Sequence, residues 1–252
     1  MDKDKIDKPR IARERARENS SGHSRTERGI VIAIDGPAGS GKSTLAGLLA
    51  RKYGYTNIET GAMYRALALK AIEEKVPFDD GERLAALARA SRIELQPRAE
   101  GNRVLLDGAD VSDRIRRQDV TDAASRVSQH PHVREWMVLR QREIGAQGGI
   151  VMEGRDIGTR VFPDAEVKIF LDAAPEVRGS RRFQQNAAPA AQEAAVIQEL
   201  HARDERDRRR ANSPLVAAGD AVTIDSTHLS LDQVLQRAIE IIDARLAELK
   251  NN

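Results

Sequence analysis

Ile30-Val31-Ile32-Ala33-Ile34-Asp35-Gly36-Pro37-Ala38-Gly39-Ser40-Gly41-Lys42-Ser43-Thr44 is the stretch that decides the fold. Its first five residues form a short, continuous and largely β-branched apolar run, the pattern of a strand buried on both faces in a parallel sheet. Gly36 to Ser43 then fits G-x-x-x-x-G-K-[ST]. The glycines of such a loop let the backbone turn tightly, so that successive N–H groups point inward at phosphate oxygens. A helix predicted over Ser43–Tyr53 adds the positive end of its dipole. In this pattern the loop from Gly36 to Thr44 cradles a nucleoside triphosphate, with Pro37, Ala38, Gly39, Ser40 and Gly41 contributing backbone. Lys42 neutralises the β- and γ-phosphates, and the Ser43 hydroxyl binds Mg²⁺. A glycine-rich turn without a ligand would not need this strand, spacing and helix together.

Further apolar runs recur near Tyr55–Ile58, Gly149–Met152, Val167–Leu171 and Ala221–Ile224. Helical patterns separate them, over Met63–Glu74, Val133–Gln147, Pro175–Gln185, Ala191–Arg210 and Leu231–Leu249. Strands alternating with helices predict βαβ units, hence an α/β fold around a parallel sheet of five strands. One stretch breaks the alternation. Arg92–Gln96 and Asn102–Gly108 read as short strands around Pro97 and Gly101, a small antiparallel insert over about 92–118. That insert is either decoration or a lobe that grips a substrate.

The chain has 252 residues, 40% hydrophobic and 32% charged, with a formal net charge of +2. Without cysteine it has no disulfide framework, thiol nucleophile or cysteine-ligated zinc. No apolar run reaches the ~18 residues of a membrane span, and no apolar segment follows the first residues, so a cytoplasmic protein is expected. Residues 1–28 hold nine Lys and Arg against six acids, leaving 32 basic and 33 acidic groups in the other 224 residues. The excess positive charge therefore sits in a tail that lacks apolar periodicity and reads as disordered. Weak contact of this tail with nucleic acid is the only such partnership expected, because the balanced body at 29–252 argues against a dedicated binder.

A phosphate loop alone does not name an activity. The chain has no N-K-x-D element for guanine, and Glu153-Gly154-Arg155-Asp156 departs from the D-x-x-G form, so a GTPase is disfavoured. What remains is a set of arginines at element ends. Arg65 follows the second strand, Arg155 ends the third, and Arg203, Asp207 and Arg210 share one face of a helix. In a parallel sheet the C-terminal strand ends face the ligand crevice, so these groups converge near the loop. Several arginines around one point suit a second phosphate. Arg206, Arg208 and Arg209 read instead as surface partners of Asp204, Glu205 and Asp207.

The stretches IDGPAGSGKST, ETGAMYRALAL, DGADVSDRIRRQDVTDAASRVS, PHVREWMVLRQRE, EGRDIGTRVFPDAEVKIFLDA, ERDRRRANSPL and TIDSTHLSLDQV resemble the bacterial cytidylate kinases, within the nucleoside monophosphate kinases, over nearly 90% of the chain. The resemblance implies a P-loop fold with an enlarged nucleotide-monophosphate lobe at 92–118 and a helical lid at about 178–195. It implies transfer of a phosphoryl group from ATP, with Mg²⁺, to CMP or dCMP by a monomer. It further implies that Arg65, Arg155 and Arg210 hold the CMP phosphate, and that Arg203 and Asp207 contact the ribose. Ser125, Arg134 and Asp156 would read the cytosine edge, and Thr60 would help position the acceptor. Among the lid arginines Arg178, Arg181 and Arg182, the first and last are expected to join Lys42 and Arg155 at the transferring phosphate. Two departures keep the chemistry: Thr60 stands where Ser is frequent, and Glu153 where Asp is common. Another acceptor, such as UMP, AMP or a small sugar acid, or an ATPase acting with nucleic acid through the tail, stays open on the residues alone.

Overall fold

The computed structural model describes residues 29–98, 101–186 and 193–251. The tail at 1–28 and the lid segment 187–192 lie outside the described residues. Strand β1 (Val31–Asp35) lies at the centre of a five-stranded sheet, followed by α1 (Lys42–Tyr53), β2 (Thr56–Glu59) and α2 (Thr60–Glu73). After α3 (Gly81–Ala90) come the short strands β3 (Ile93–Pro97), β4 (Asn102–Leu106) and β5 (Ala109–Asp110). The chain continues through α4 (Gln118–Val127), α5 (Pro131–Gly145), β6 (Ile150–Gly154) and β7 (Val167–Asp172). It ends with α6 (Pro175–Asn186), α7 (Glu193–Arg209), β8 (Val222–Asp225) and α8 (Leu231–Asn251).

The main sheet runs β2-β6-β1-β7-β8 with every pair parallel, as the alternation of strands and helices predicts. Its faces are covered by different helices. Ile32 and Ile34 point to α1 and α8, meeting Leu45, Leu49, Ala238 and Ile242, while Ala33 points to the α5 side with Val138 and Met152. Ile32 and Ile34 are fully buried, and each such side chain contributes about 1.5–3 kcal/mol of transfer free energy. The edge strands differ from the expectation of burial on both faces. β8 hides only Ile224, and Val222 is 46% exposed, because no strand lies beyond it. Among the described residues no helix is long and apolar enough to cross a membrane.

The insert is the antiparallel sheet β3-β4-β5, paired in register from Ile93↔Leu106 to Pro97↔Asn102. It continues into a 3₁₀ turn at Arg114–Arg116, and α4 begins where the insert was expected to end. Two helices are absent from the sequence reading, α3 and α4. Asp80 caps α3 by accepting from the Arg83 N–H at 3.0 Å, and Leu84, Ala85, Leu87 and Ala88 form its buried stripe. α4 buries Val120, Ala123, Ala124 and Val127 against the α2 side of the core.

Candidate active site

β1 and β6 pair so that Asp35 stands opposite Gly154. Their C-terminal ends open into a cleft of about 610 Å³, within the range of small-molecule sites. One wall is the loop between β1 and α1. Gly36 has φ +151°, and a Cβ there would lie 2.0 Å from the Leu171 carbonyl oxygen, so only glycine lets this loop pack on β7. Gly39, at φ +75°, also brings the loop close to the Arg178 backbone, where a Cβ would lie 2.8 Å from the carbonyl oxygen. Ala38, Gly39 and Gly41 to Thr44 line the cleft, whereas Gly36, Pro37 and Ser40 stand behind it.

Lys42 is 5% exposed, and its Nζ donates to the Pro37 carbonyl at 2.6 Å and to Ser40 Oγ at 3.3 Å. Burial, reinforced by Arg155 and Arg203, pushes its pKa down to about 7. Ser43 Oγ donates to Glu153 Oε1 at 2.6 Å, and Thr60 Oγ1 donates to the Glu153 carbonyl at 2.7 Å. Glu153 therefore fixes both the loop hydroxyl and the start of α2. The paired oxygens of Ser43 and Glu153 are hard donors on the cleft wall, a set that fits Mg²⁺ shared with phosphates. Among the described residues no cluster of three or more acidic or imidazole groups offers an all-protein cage.

Asp35 is buried and accepts from the backbone N–H of Ile157 at 2.8 Å and of Gly158 at 2.7 Å. Burial outweighs these bonds and raises its pKa to about 6. The carboxylate ties the end of β1 to the π-helical turn Ile157–Val161, directly after Arg155 and Asp156.

The opposite wall gathers the predicted acceptor residues. Thr60, Arg65, Ser125, Arg134, Arg155, Asp156, Arg203, Asp207 and Arg210 all line the one cleft, together with Arg182. Asp156 forms a buried ion pair with Arg134, which lies 5.5 Å over the Tyr64 ring. Asp207 accepts from Arg155 Nε at 3.0 Å and lies 3.7 Å from the Arg210 guanidinium. Arg65 Nε and Arg203 Nε are buried and, among the described residues, have no hydrogen-bond partner. Burial lowers the pKa of both, that of Arg203 to about 10. Buried donors without acceptors are costly unless an anion meets them, so this wall is built for one.

Two sequence-based expectations change. Arg178 does not line the cleft: its Nε donates to the Ala173 carbonyl at 2.8 Å, and Nη1 donates to the Ala38 carbonyl at 3.1 Å and to the Asp204 carboxylate. At 2% exposure it braces the loop from behind, so it is not free to meet a transferring phosphate. Arg181 is likewise spent on Ser226. Arg206, expected on the surface with an acidic neighbour, instead donates from Nε to Ser125 Oγ at 3.1 Å, while Arg209 does pair with Glu205. Sequence reasoning gave no role to Tyr64, Glu59 and Arg116, which also line the cleft. Tyr64 was within reach of it, four residues after Thr60 on the same helical face.

The family model for cytidylate kinase matches residues 32–244. Among curated proteins, the cytidylate kinase of Geobacillus sp. (strain WCH70) is 47% identical over 220 residues, covering 86% of this chain and 98% of that protein. That of Geobacillus kaustophilus is 48% identical over 223 residues, covering 87% and 99%. The cytidylate kinase of Bacillus subtilis (strain 168) is 43% identical over 221 residues, covering 87% and 99%.

Proposed function

Because the chain belongs to the cytidylate kinase family, we propose that it transfers the γ-phosphoryl group of ATP to CMP, and to dCMP, giving ADP and the diphosphate. One observation carries the reading: across a single cleft a phosphate loop faces a wall of Arg65, Arg134, Arg203 and Arg210, each with a buried guanidinium nitrogen that has no hydrogen-bond partner among the described residues. Such a site suits a reaction that asks for positioning and charge stabilisation rather than covalent chemistry.

The loop amides and Lys42 hold the ATP phosphates. Ser43 and Glu153 would hold Mg²⁺, which when bound offsets charge between the β- and γ-phosphates. Arg65, Arg155 and Arg210 hold the CMP phosphate, whose oxygen is already anionic and attacks the γ-phosphorus without a general base. Asp207 keeps Arg155 and Arg210 aimed and, with Arg203, contacts the ribose. Arg182, rather than Arg178, reaches the transferring phosphoryl group, and Thr60 keeps α2 in place beside the acceptor. Asp156 accepts from the cytosine amino group while Arg134 donates to a ring acceptor. The β3–β5 sheet serves as part of the acceptor lobe and the α6–α7 region as the lid that excludes water. The reading includes a monomeric, cytoplasmic enzyme.

ADP release measured with CMP, dCMP, UMP and AMP tests this function. Turnover should be strongest with CMP and dCMP. Turnover that ignores CMP, or appears only with RNA, would overturn it.

A further inference from the structure

Helices α4 and α7 meet across the cleft through side chains. Gln118 Nε2 on α4 donates to Asp122 Oδ1 at 3.1 Å and to the Glu199 carboxylate on α7. Two turns further along both helices, Arg206 Nε donates to Ser125 Oγ at 3.1 Å. Gln118, Asp122 and Ser125 share one face of α4, as Glu199, Arg203 and Arg206 share one of α7. Ser125 is 3% exposed and lines the cleft, whereas Arg206 stands behind it and does not.

The chemistry of this contact is asymmetric. A guanidinium has only donors, so Ser125 Oγ can only accept from Arg206. A serine hydroxyl carries one hydrogen and two lone pairs. With one lone pair taken by Arg206, the hydroxyl is biased to act as a donor toward the cleft. Accepting from a cation strengthens the O–H as a donor and weakens the remaining lone pair as an acceptor. Cytosine offers acceptors at N3 and O2, whereas at N3 uracil presents an N–H donor that can meet only that weakened lone pair. A hydroxyl released from Arg206 loses this polarisation, has both lone pairs free and serves either base, donating to cytosine or accepting from uracil.

We propose that Arg206 is a positioning residue for base selection, holding the Ser125 hydroxyl as a hydrogen-bond donor so that the site prefers cytosine over uracil. The proposal rests on the CMP kinase reading and adds to it a residue outside the cleft wall. It also links base choice to the lid, since α7 carries the selecting contact.

The test compares kcat/KM for CMP and UMP in the wild type and in Arg206→Met, Arg206→Lys, Ser125→Ala and the Arg206→Met/Ser125→Ala double variant. Arg206→Met should narrow the CMP/UMP ratio about tenfold, the size of one charge-assisted hydrogen bond, chiefly through a rise in KM for CMP and a fall for UMP. Arg206→Lys, which keeps a cationic donor, should restore part of the ratio. In the Ser125→Ala background Arg206→Met should change the ratio no further, because the two act as one unit. Equal losses for both substrates, or additive effects in the double variant, would overturn the proposal and reduce Arg206 to a brace for α7. A wild type that ignores CMP would fail the proposed function itself, an outcome distinct from a CMP-selective wild type whose ratio survives Arg206→Met.

Discussion

Replacing Arg178 by Met should cost the protein its stability before it costs it chemistry. The Arg178 and Asp204 side chains are 3% and 5% exposed and form an ion pair through Asp204 Oδ2, while Asp204 Oδ1 is buried with no hydrogen-bond partner among the described residues. Met fills much of the same volume but leaves the Asp204 carboxylate buried and unpaired, and the Ala38 and Ala173 carbonyls lose their donor. Breaking a buried pair by removing one member costs about 3–5 kcal/mol. In a domain of this size each kcal/mol shifts the thermal midpoint by roughly 2–4 °C, so Arg178→Met should melt on the order of 6–20 °C below the wild type. Thermal unfolding followed by circular dichroism reads this directly. The variant Arg178→Met/Asp204→Leu removes the stranded charge and should regain most of the loss. An Arg178→Met protein that melts with the wild type while its kcat collapses would refute the argument and return Arg178 to the transferring phosphate.

Lys42, with its pKa near 7 in the free cleft, should be mostly neutral at about pH 8 and recharge when a triphosphate arrives. ATP binding there should take up on the order of one proton, and affinity should fall as pH rises above about 7. Calorimetry in buffers of different ionisation enthalpy measures the uptake, and an enthalpy independent of buffer would rule it out. Lys42→Ala should abolish the uptake and lower turnover by several orders of magnitude in a folded protein. Asp156→Ala should narrow the CMP/UMP ratio of kcat/KM by roughly 10- to 100-fold, since one mismatched buried polar group is worth about 1–3 kcal/mol. Equal losses for the two acceptors would reject Asp156 as a base-reading group.

The parts of the fold that announce themselves are those with a strong local pattern. The run Ile30–Ile34, the glycine-lysine loop and the long periodic helices need only neighbours in sequence to be recognised, and the structure keeps them within a few residues of their expected bounds. α3 and α4 escape because each is only ten residues long, so that the apolar stripe of each spans fewer than three turns and has little room to repeat. For α3 the Asp80 cap was the available clue. The cleft residues were legible as a group because strand ends and one helical face bring them together. Their separate tasks were not. Arg178, Arg181 and Arg182 lie within five residues, yet one braces the phosphate loop, one holds Ser226 and one faces the cleft. That division depends on packing of α6 against the phosphate loop, α7 and the turn after β8, which no local pattern encodes. Arg206 misled for a related reason, since acids beside it in sequence suggested partners that the turn of the helix denies it.

The bond from Asp35 to Ile157 and Gly158 and the Asp35↔Gly154 pairing have a consequence for reach. The donor cradle hangs from the end of β1, and the Arg155–Asp156 corner from the end of its neighbour β6. A slip of one residue between these strands would move one anchor against the other by about 3.3 Å, comparable to the whole gap an attacking oxygen has to cross. The span between nucleophile and phosphorus is thus gauged by strand register, in the buried centre of the sheet. Adaptation toward other acceptors has room to act on what closes over the gap, at α4 and α7, while an insertion or deletion in β1 or β6 would spoil the gauge itself.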